Sequence, residues 1–169
     1  MAHGSELEIE RKFLVVGDSY KHEAYDSSRI RQGYICSSRG RTVRVRIRDD
    51  RGYLTIKGPR MGKGFAHYEF EKEITLEEAE HLMELCLPGI IDKTRYLVKS
   101  GAHTFEVDEF HGDNKGLVIA EVELQSEDES FVKPDFIGKE VTKLRDYTNA
   151  YLSKNPFKSW PENKKSINQ

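Results

Sequence analysis

The 169-residue chain predicts an α+β fold: an eight-stranded antiparallel β-barrel with flanking helices. Three observations predict it. Eight segments alternate apolar and polar residues with period two, as strands with one buried face do. Short turn sequences separate several of them, which suits antiparallel neighbours. Two helical stretches are available to cover apolar faces, and eight strands suffice to close a sheet.

The elements follow in order. "ELEIERKFLV" (6–15) sets Glu6, Glu8, Glu10 and Lys12 on one face against Leu7, Ile9, Arg11 and Phe13 on the other. "RIRQGYIC" (29–36) is the second strand, and "SSRGR" turns the chain into "TVRVRIR" (42–48), where Arg44, Arg46 and Arg48 oppose Val43, Val45 and Ile47. After "DDRG", "YLTIKG" (53–58) puts Thr55 and Lys57 opposite Leu54 and Ile56. The glycine-rich "GPRMGKG" is a mobile hairpin loop leading to "HYEFEKEI" (67–74), with Glu69, Glu71 and Glu73 on one face. "TLEEAEHLMELC" (75–86) is a helix with a Thr75–Glu78 capping box and an apolar stripe of Leu76, Ala79, Leu82, Met83 and Cys86. "DKTRYLVK" (92–99) separates Lys93 and Arg95 from Tyr96 and Val98. "HTFEVDEF" (103–110) opposes Glu106 and Asp108 to Phe105 and Val107, and "LVIAEVELQ" (117–125) opposes Glu121 and Glu123 to Ala120 and Val122. A second helix covers about 144–154, with Leu144, Tyr147 and Tyr151 on one face. The length fits one domain over 6–160, between an expression remnant at 1–5 and a loose polar tail at 161–169.

Composition narrows the function. A net charge of −2 gives no global basic field for nucleic acid or an acidic membrane. No apolar run approaches the roughly 20 residues of a membrane span. Cys36 and Cys86 lack metal-ligand spacing and read as free thiols in a reducing cytoplasm. "GPRMGKGF" lacks the GxxxxGK(S/T) spacing of a phosphate loop and opens no helix. No His/Cys cluster suggests zinc, His67 reads as a lone structural histidine, and no GxSxG elbow marks a serine hydrolase. "RVRIR" lacks the interleaved aromatics of a single-strand nucleic-acid groove.

The remaining question is where the charged faces point. A single antiparallel strand with a wet face gives the same alternation. Taken together, though, the charges arrive in same-sign runs, and like charges side by side repel unless a counter-charge lies between them. Carboxylate runs suit a divalent cation, and arginine and lysine runs suit phosphate. If helices cover the apolar faces from outside, the charged faces line a polar tunnel.

The residues also carry a family resemblance. "EIERKFLV" resembles the ExExK signature (Glu8, Glu10, Lys12) that opens the CYTH family of triphosphate tunnel metalloenzymes. "IRQGYI", "RVRIR", "TIKG", "YEFEKEI", "DKTRY", "FEVDEF", "AEVEL" and "GKEVT" continue the match in order over nearly the whole chain. The resemblance implies an eight-stranded tunnel that binds a triphosphate with Mg2+ or Mn2+. Glu8, Glu10, Glu121 and Glu123 are then metal ligands, with Asp108 nearby. Lys12, Arg44, Arg46, Lys57, Lys93 and Arg95 grip phosphate oxygens. Tyr34 takes the place of a proton-accepting or water-positioning tyrosine, and Lys12 joins it as a catalytic group. Glu69 and Glu71 match a further acidic pair of the tunnel. The C-terminal "EVTKLRDYTN" departs from the relatives' EVT-x-D-x-RY-x-N, placing Arg145 one position early as the terminal phosphate contact. The implied function is metal-dependent triphosphate hydrolysis, close to the tripolyphosphatase-like members. A class IV-type adenylate cyclase and a non-catalytic polyphosphate- or nucleotide-binding module are the alternatives. The implied partner is a small triphosphate-bearing molecule rather than nucleic acid or membrane, and monomer and homodimer both stay open.

Overall fold

The computed structural model describes residues 9–38, 40–60 and 67–166. Glu6, Glu8 and the core of the "GPRMGKG" loop lie outside these residues. The strands form where the alternation predicts them: β1 (Ile9–Val15), β2 (Asp26–Ser38), β3 (Arg41–Arg48), β4 (Arg51–Arg60), β5 (His67–Ile74), β6 (Ile91–Ser100), β7 (His103–Phe110) and β8 (Val118–Leu124). A ninth, β9 (Ile137–Glu140), adds to the eight expected and pairs with β1. The order is β5-β4-β3-β2-β6-β7-β8-β1-β9, antiparallel throughout. Among the described residues no ladder joins β5 to β9, so the predicted barrel is an open antiparallel sheet.

Each strand contributes one face to an outer apolar layer. Short helix α1 (Tyr20–Glu23) and the segment around Phe136 cover Phe13, Val98, Phe105, Val107 and Val122. Helix α2 (Leu76–Met83) covers Val45 and Ile47. Both bonds of its predicted capping box form: the Thr75 hydroxyl accepts from Glu78 N–H at 3.0 Å, and the Glu78 carboxylate accepts from Thr75 N–H at 2.9 Å. Ala79 is fully buried against Gly52 of β4, where an added Cβ would lie 2.5 Å from the Ala79 Cβ. The buried stripe starts later than its sequence suggests, since Leu76, the first residue of the helix, is exposed.

The polar face is sealed at one end. Leu14, Ile91, Phe110 and Ile119 continue it as apolar positions and pack against Tyr147, Leu152, Phe157 and Trp160. The predicted 144–154 helix is divided here into a 3-10 turn (Arg145–Tyr147) and α3 (Asn149–Lys154). Thr148 is extended between them, and its hydroxyl accepts from Tyr151 N–H to cap α3. The supposedly loose tail carries α4 (Glu162–Lys165), tied down by a Lys164–Asp146 ion pair and by Lys164 lying 4.5 Å above the Trp160 ring. Among the described residues no helix is long and apolar enough to cross a membrane.

Candidate active site

Strand parity and register put the charged runs on one face. Across β6, β7, β8 and β1, Arg95 pairs with Asp108, Glu106 with Glu121, Glu121 with Lys12, and Glu123 with Glu10. Across β2 to β5, Tyr34 pairs with Arg44, Gln32 with Arg46, Arg44 with Thr55, and Thr55 with Glu71. The face therefore has two chemical halves. Cations and neutral donors lie toward the apolar plug, and carboxylates lie toward a mouth.

The mouth is a cavity of about 530 Å³ whose walls include Glu10, Glu106, Glu121, Glu123, Glu129 and His103. Glu10 stands opposite Glu123, and Glu106 opposite Glu121. Carboxylates paired across a ladder repel. Lys12 meets Glu121 at 3.6 Å and Arg95 meets Glu106 at 2.8 Å, while His103 Nε2 lies 3.0 Å from Glu129. Among the described residues no three acidic, histidine or cysteine side chains form a closed metal cage. The donor set nevertheless fits Mg2+ or Mn2+: it is all carboxylate oxygen, and Mg2+ typically takes one or two carboxylates, completing its shell with water and substrate phosphate. Glu8, the remaining expected ligand, lies outside the described residues.

Deeper in, Asp108 is 3% exposed, and its oxygens accept from Arg95 Nε at 2.8 Å, Arg95 Nη2 at 2.9 Å and Lys93 Nζ at 2.8 Å. Burial alone would raise its pKa, but Lys93 and Arg95 outweigh burial and hold it far below the usual carboxylate range. Asp108, expected as a companion metal ligand, has both oxygens engaged by Arg95 and Lys93. Lys93 is fully buried, and burial first, then the neighbouring Arg95 and Arg46, lower its pKa to about 8. Burial would also lower Arg95, but Asp108 and Glu106 raise it.

Arg46 is lowered to about 10 by burial, then by Arg44 and Arg95. Its Nε donates to Gln32 Oε1 at 3.0 Å, and no ion pair to a carboxylate forms on it among the described residues. Arg44 Nη2 donates to Thr55 at 3.3 Å, and Thr55 donates to Glu71 at 3.1 Å. Lys57 is half-buried on β4, between Thr42 and Glu69. Glu69 and Glu71 are exposed on the edge strand β5. Burial raises the Tyr34 phenol against the opposing pull of Arg44, Arg46 and Gln32. The phenol therefore stays protonated near neutral pH.

Arg145 does not join the cations. It is exposed on the C-terminal segment, with its guanidinium 6.0 Å from the Tyr151 ring. Sequence reasoning gave no site role to four uncharged or counter-charged residues of this region, although it set Thr55 and Glu106 on the charged face. Gln32 is 0% exposed and Thr55 is 1% exposed. Glu106 joins the mouth, and Asn149 of α3 accepts from Lys93 Nζ at 3.2 Å. Burial of neutral residues on an otherwise charged strand face was the available signal for the first two.

A CYTH domain model matches residues 6–154. The chain belongs to the CYTH family. It is 48% identical over 156 residues to an inorganic triphosphatase of Acetivibrio thermocellus, an alignment covering 92% of this chain and 98% of that protein. An inorganic triphosphatase of Nitrosomonas europaea is 32% identical over 150 residues, covering 86% and 96%. Among solved structures, that of an inorganic triphosphatase superposes with a TM-score of 0.63 at 32% identity, covering 86% of this chain and 93% of the other.

Proposed function

We propose that this CYTH protein hydrolyses a triphosphate, with inorganic tripolyphosphate as the substrate class, in the presence of Mg2+ or Mn2+ in a reducing cytoplasm. The observation that carries this reading is the division of the charged face into buried and half-buried cations near the plug and carboxylates at the mouth. Inorganic triphosphatase activity in the two relatives supports it.

The anion enters by the mouth, because the opposite end is packed with Phe110, Tyr147 and Trp160. Arg44, Arg46, Lys93 and Arg95 bind nonbridging oxygens, with the arginine forks capable of bidentate contacts. Lys12 leaves Glu121 to reach the same chain of phosphates, and Lys57 contributes from β4. Tyr34, held neutral by burial, donates a hydrogen bond and orients the phosphate rather than taking a proton. Glu10, Glu121 and Glu123, with Glu8, would hold a divalent cation, which would supply charge neutralisation and acidify water. Water adds to a terminal phosphorus as the bond to the bridging oxygen breaks. That oxygen leaves with pyrophosphate, the new oxygen departs in orthophosphate, and the surplus proton goes to a phosphate oxygen or solvent. Most of the acceleration comes from positioning and charge stabilisation.

The test supplies tripolyphosphate and ATP separately, with Mg2+, Mn2+ or EDTA, and reads orthophosphate, pyrophosphate and cyclic AMP. Metal-dependent release of orthophosphate and pyrophosphate from tripolyphosphate is the expected result. Cyclic AMP with stoichiometric pyrophosphate from ATP would replace the triphosphatase by a cyclase. Binding without any product would leave a polyphosphate-binding module.

A further inference from the structure

The geometry points to Gln32 as a phosphate-binding residue of this site: its side-chain amide donates to a nonbridging oxygen of the triphosphate while its carbonyl holds Arg46 in place. The inference rests on the proposed triphosphate function and adds a residue that charge patterning does not select.

Gln32 is 0% exposed, in the middle of β2 and on the charged face. Its two polar atoms are distinguishable by their neighbour. The Arg46 Nε–H can only donate, so the atom 3.0 Å from it must be the amide oxygen. The NH2 group therefore points the other way. There it makes no hydrogen bond, although it is buried. A buried donor left unpaired costs about 1–3 kcal/mol, so native structures rarely keep one without a use. A second orphan donor, the buried Nε of Arg44, lies on the next strand beside Tyr34. A contact from Gln32 favours the ionised form of the Tyr34 phenol, as Arg44 and Arg46 also do, but it falls short of normal hydrogen-bond geometry. Apart from that phenol oxygen the surroundings of the amide supply donors and positive charge, and an anionic acceptor is what they lack. A phosphate oxygen supplies it.

The second contact gives Gln32 a positioning role as well. By occupying Arg46 Nε, the amide oxygen directs the two terminal nitrogens of that guanidinium toward the same anion. A carboxylate in its place would neutralise Arg46, whereas an amide fixes the arginine without cancelling its charge.

The test measures tripolyphosphate binding by titration calorimetry with EDTA present, so that turnover does not contribute, on wild type, Gln32→Met and Gln32→Glu. Thermal unfolding of each variant verifies folding. A hydrogen bond to a charged group is lost in Gln32→Met, and the expected effect is a Kd raised by about 10- to 100-fold. Gln32→Glu keeps an acceptor for Arg46, loses the donor and adds a negative charge, so its Kd is expected to rise at least as much. A folded Gln32→Met with wild-type affinity overturns the assignment. A loss in Gln32→Met together with wild-type affinity in Gln32→Glu overturns the donor role, because holding Arg46 would then suffice. Should either variant fail to fold, Gln32→Asn, which withdraws the amide by one methylene, is read by the same criterion. Failure of the wild type to release orthophosphate from tripolyphosphate with Mg2+ or Mn2+ would instead overturn the function on which the inference rests.

Discussion

Replacing Asp108 by Asn removes one buried negative charge from between a buried lysine and a half-buried arginine. The carboxylate takes three hydrogen bonds, two from Arg95 and one from Lys93, at 2.8–2.9 Å. Breaking a buried ion pair by removing one partner costs about 3–5 kcal/mol, because the other charge stays buried without compensation. Each kcal/mol moves Tm by about 2–4 °C in a domain of this size, so Asp108→Asn is expected to melt about 6–20 °C lower. The loss should also depend on pH. Lys93 in the wild type already loses its proton at about 8. Removing Asp108 removes the contact that raises it, so the variant sheds that charge at lower pH and is penalised less at about pH 9 than at about pH 6. Thermal unfolding at both pH values, with and without tripolyphosphate in EDTA, reads all of this. The anion is expected to stabilise the variant more than the wild type, by supplying the missing counter-charge. A Tm within about 2 °C of wild type at low pH, a shift below the 1 kcal/mol equivalent, would refute the account of Asp108 as the counter-ion of this cluster.

Two further predictions concern catalysis. The folded-state pKa of Lys93 lies below its ordinary value, so the unfolded chain binds more protons between about 8 and 10.5, and this group's penalty on stability is complete below about 8 and fades as pH rises. Its charge is lost over the same range, and kcat/KM for tripolyphosphate is expected to fall above about pH 8, with the descending limb moved upward in Lys93→Arg. A flat profile through that range would remove Lys93 from the anion site. Glu123→Gln, at an exposed position of the mouth, is expected to lower metal-dependent hydrolysis by at least about 100-fold, given that a catalytic cation contributes several kcal/mol. Its Tm should stay nearly unchanged, because exposed substitutions usually cost within about 0.5 kcal/mol. Wild-type turnover in this variant would remove Glu123 from the metal set.

The legible part of the fold was the part with a period. Residues such as Arg44, Val45, Arg46 and Ile47 announce a strand and both of its faces, and the described register keeps every such pair on the expected sides. β9 escaped because "IGKE" is four residues long, contains a glycine and has no alternation to read. The plug escaped for a different reason. Tyr147, Leu152, Phe157 and Trp160 meet through two 3-10 turns and a six-residue helix, and no single helical period links them. Within the site, the signs of the charges were legible but their partners were not. Asp108 and Glu121 look alike in sequence, yet one is enclosed by two cations and the other stands at the mouth beside Lys12. Arg145 carries the right charge on a segment that the plug turns away from the charged face. Gln32 carries no charge, and only its depth inside the sheet distinguishes it from an ordinary surface glutamine.

The division of the charged face also explains why the sheet can afford it. Placing Arg44, Arg46, Lys93 and Arg95 together costs stability, as the lowered pKa values of Lys93 and Arg46 record. A single buried carboxylate, Asp108, offsets part of that cost while leaving net positive charge, and all four cations stand on strands whose outer faces bury Val45, Ile47 and Val98. Full neutralisation by further carboxylates would stabilise the free protein and abolish its attraction for an anion. A bound polyanion completes the compensation, worth about 2.7 kcal/mol of added stability at a concentration 100 times its Kd. Of the mouth carboxylates only Glu106 reaches one of these cations, Arg95 at 2.8 Å, since strand register keeps Glu10, Glu121 and Glu123 in rows toward the opening. Rigid register thus maintains a separation of charge that flexible side chains on a loop would collapse, and on the proposed function that separation would let one end of the site favour phosphate and the other a divalent cation.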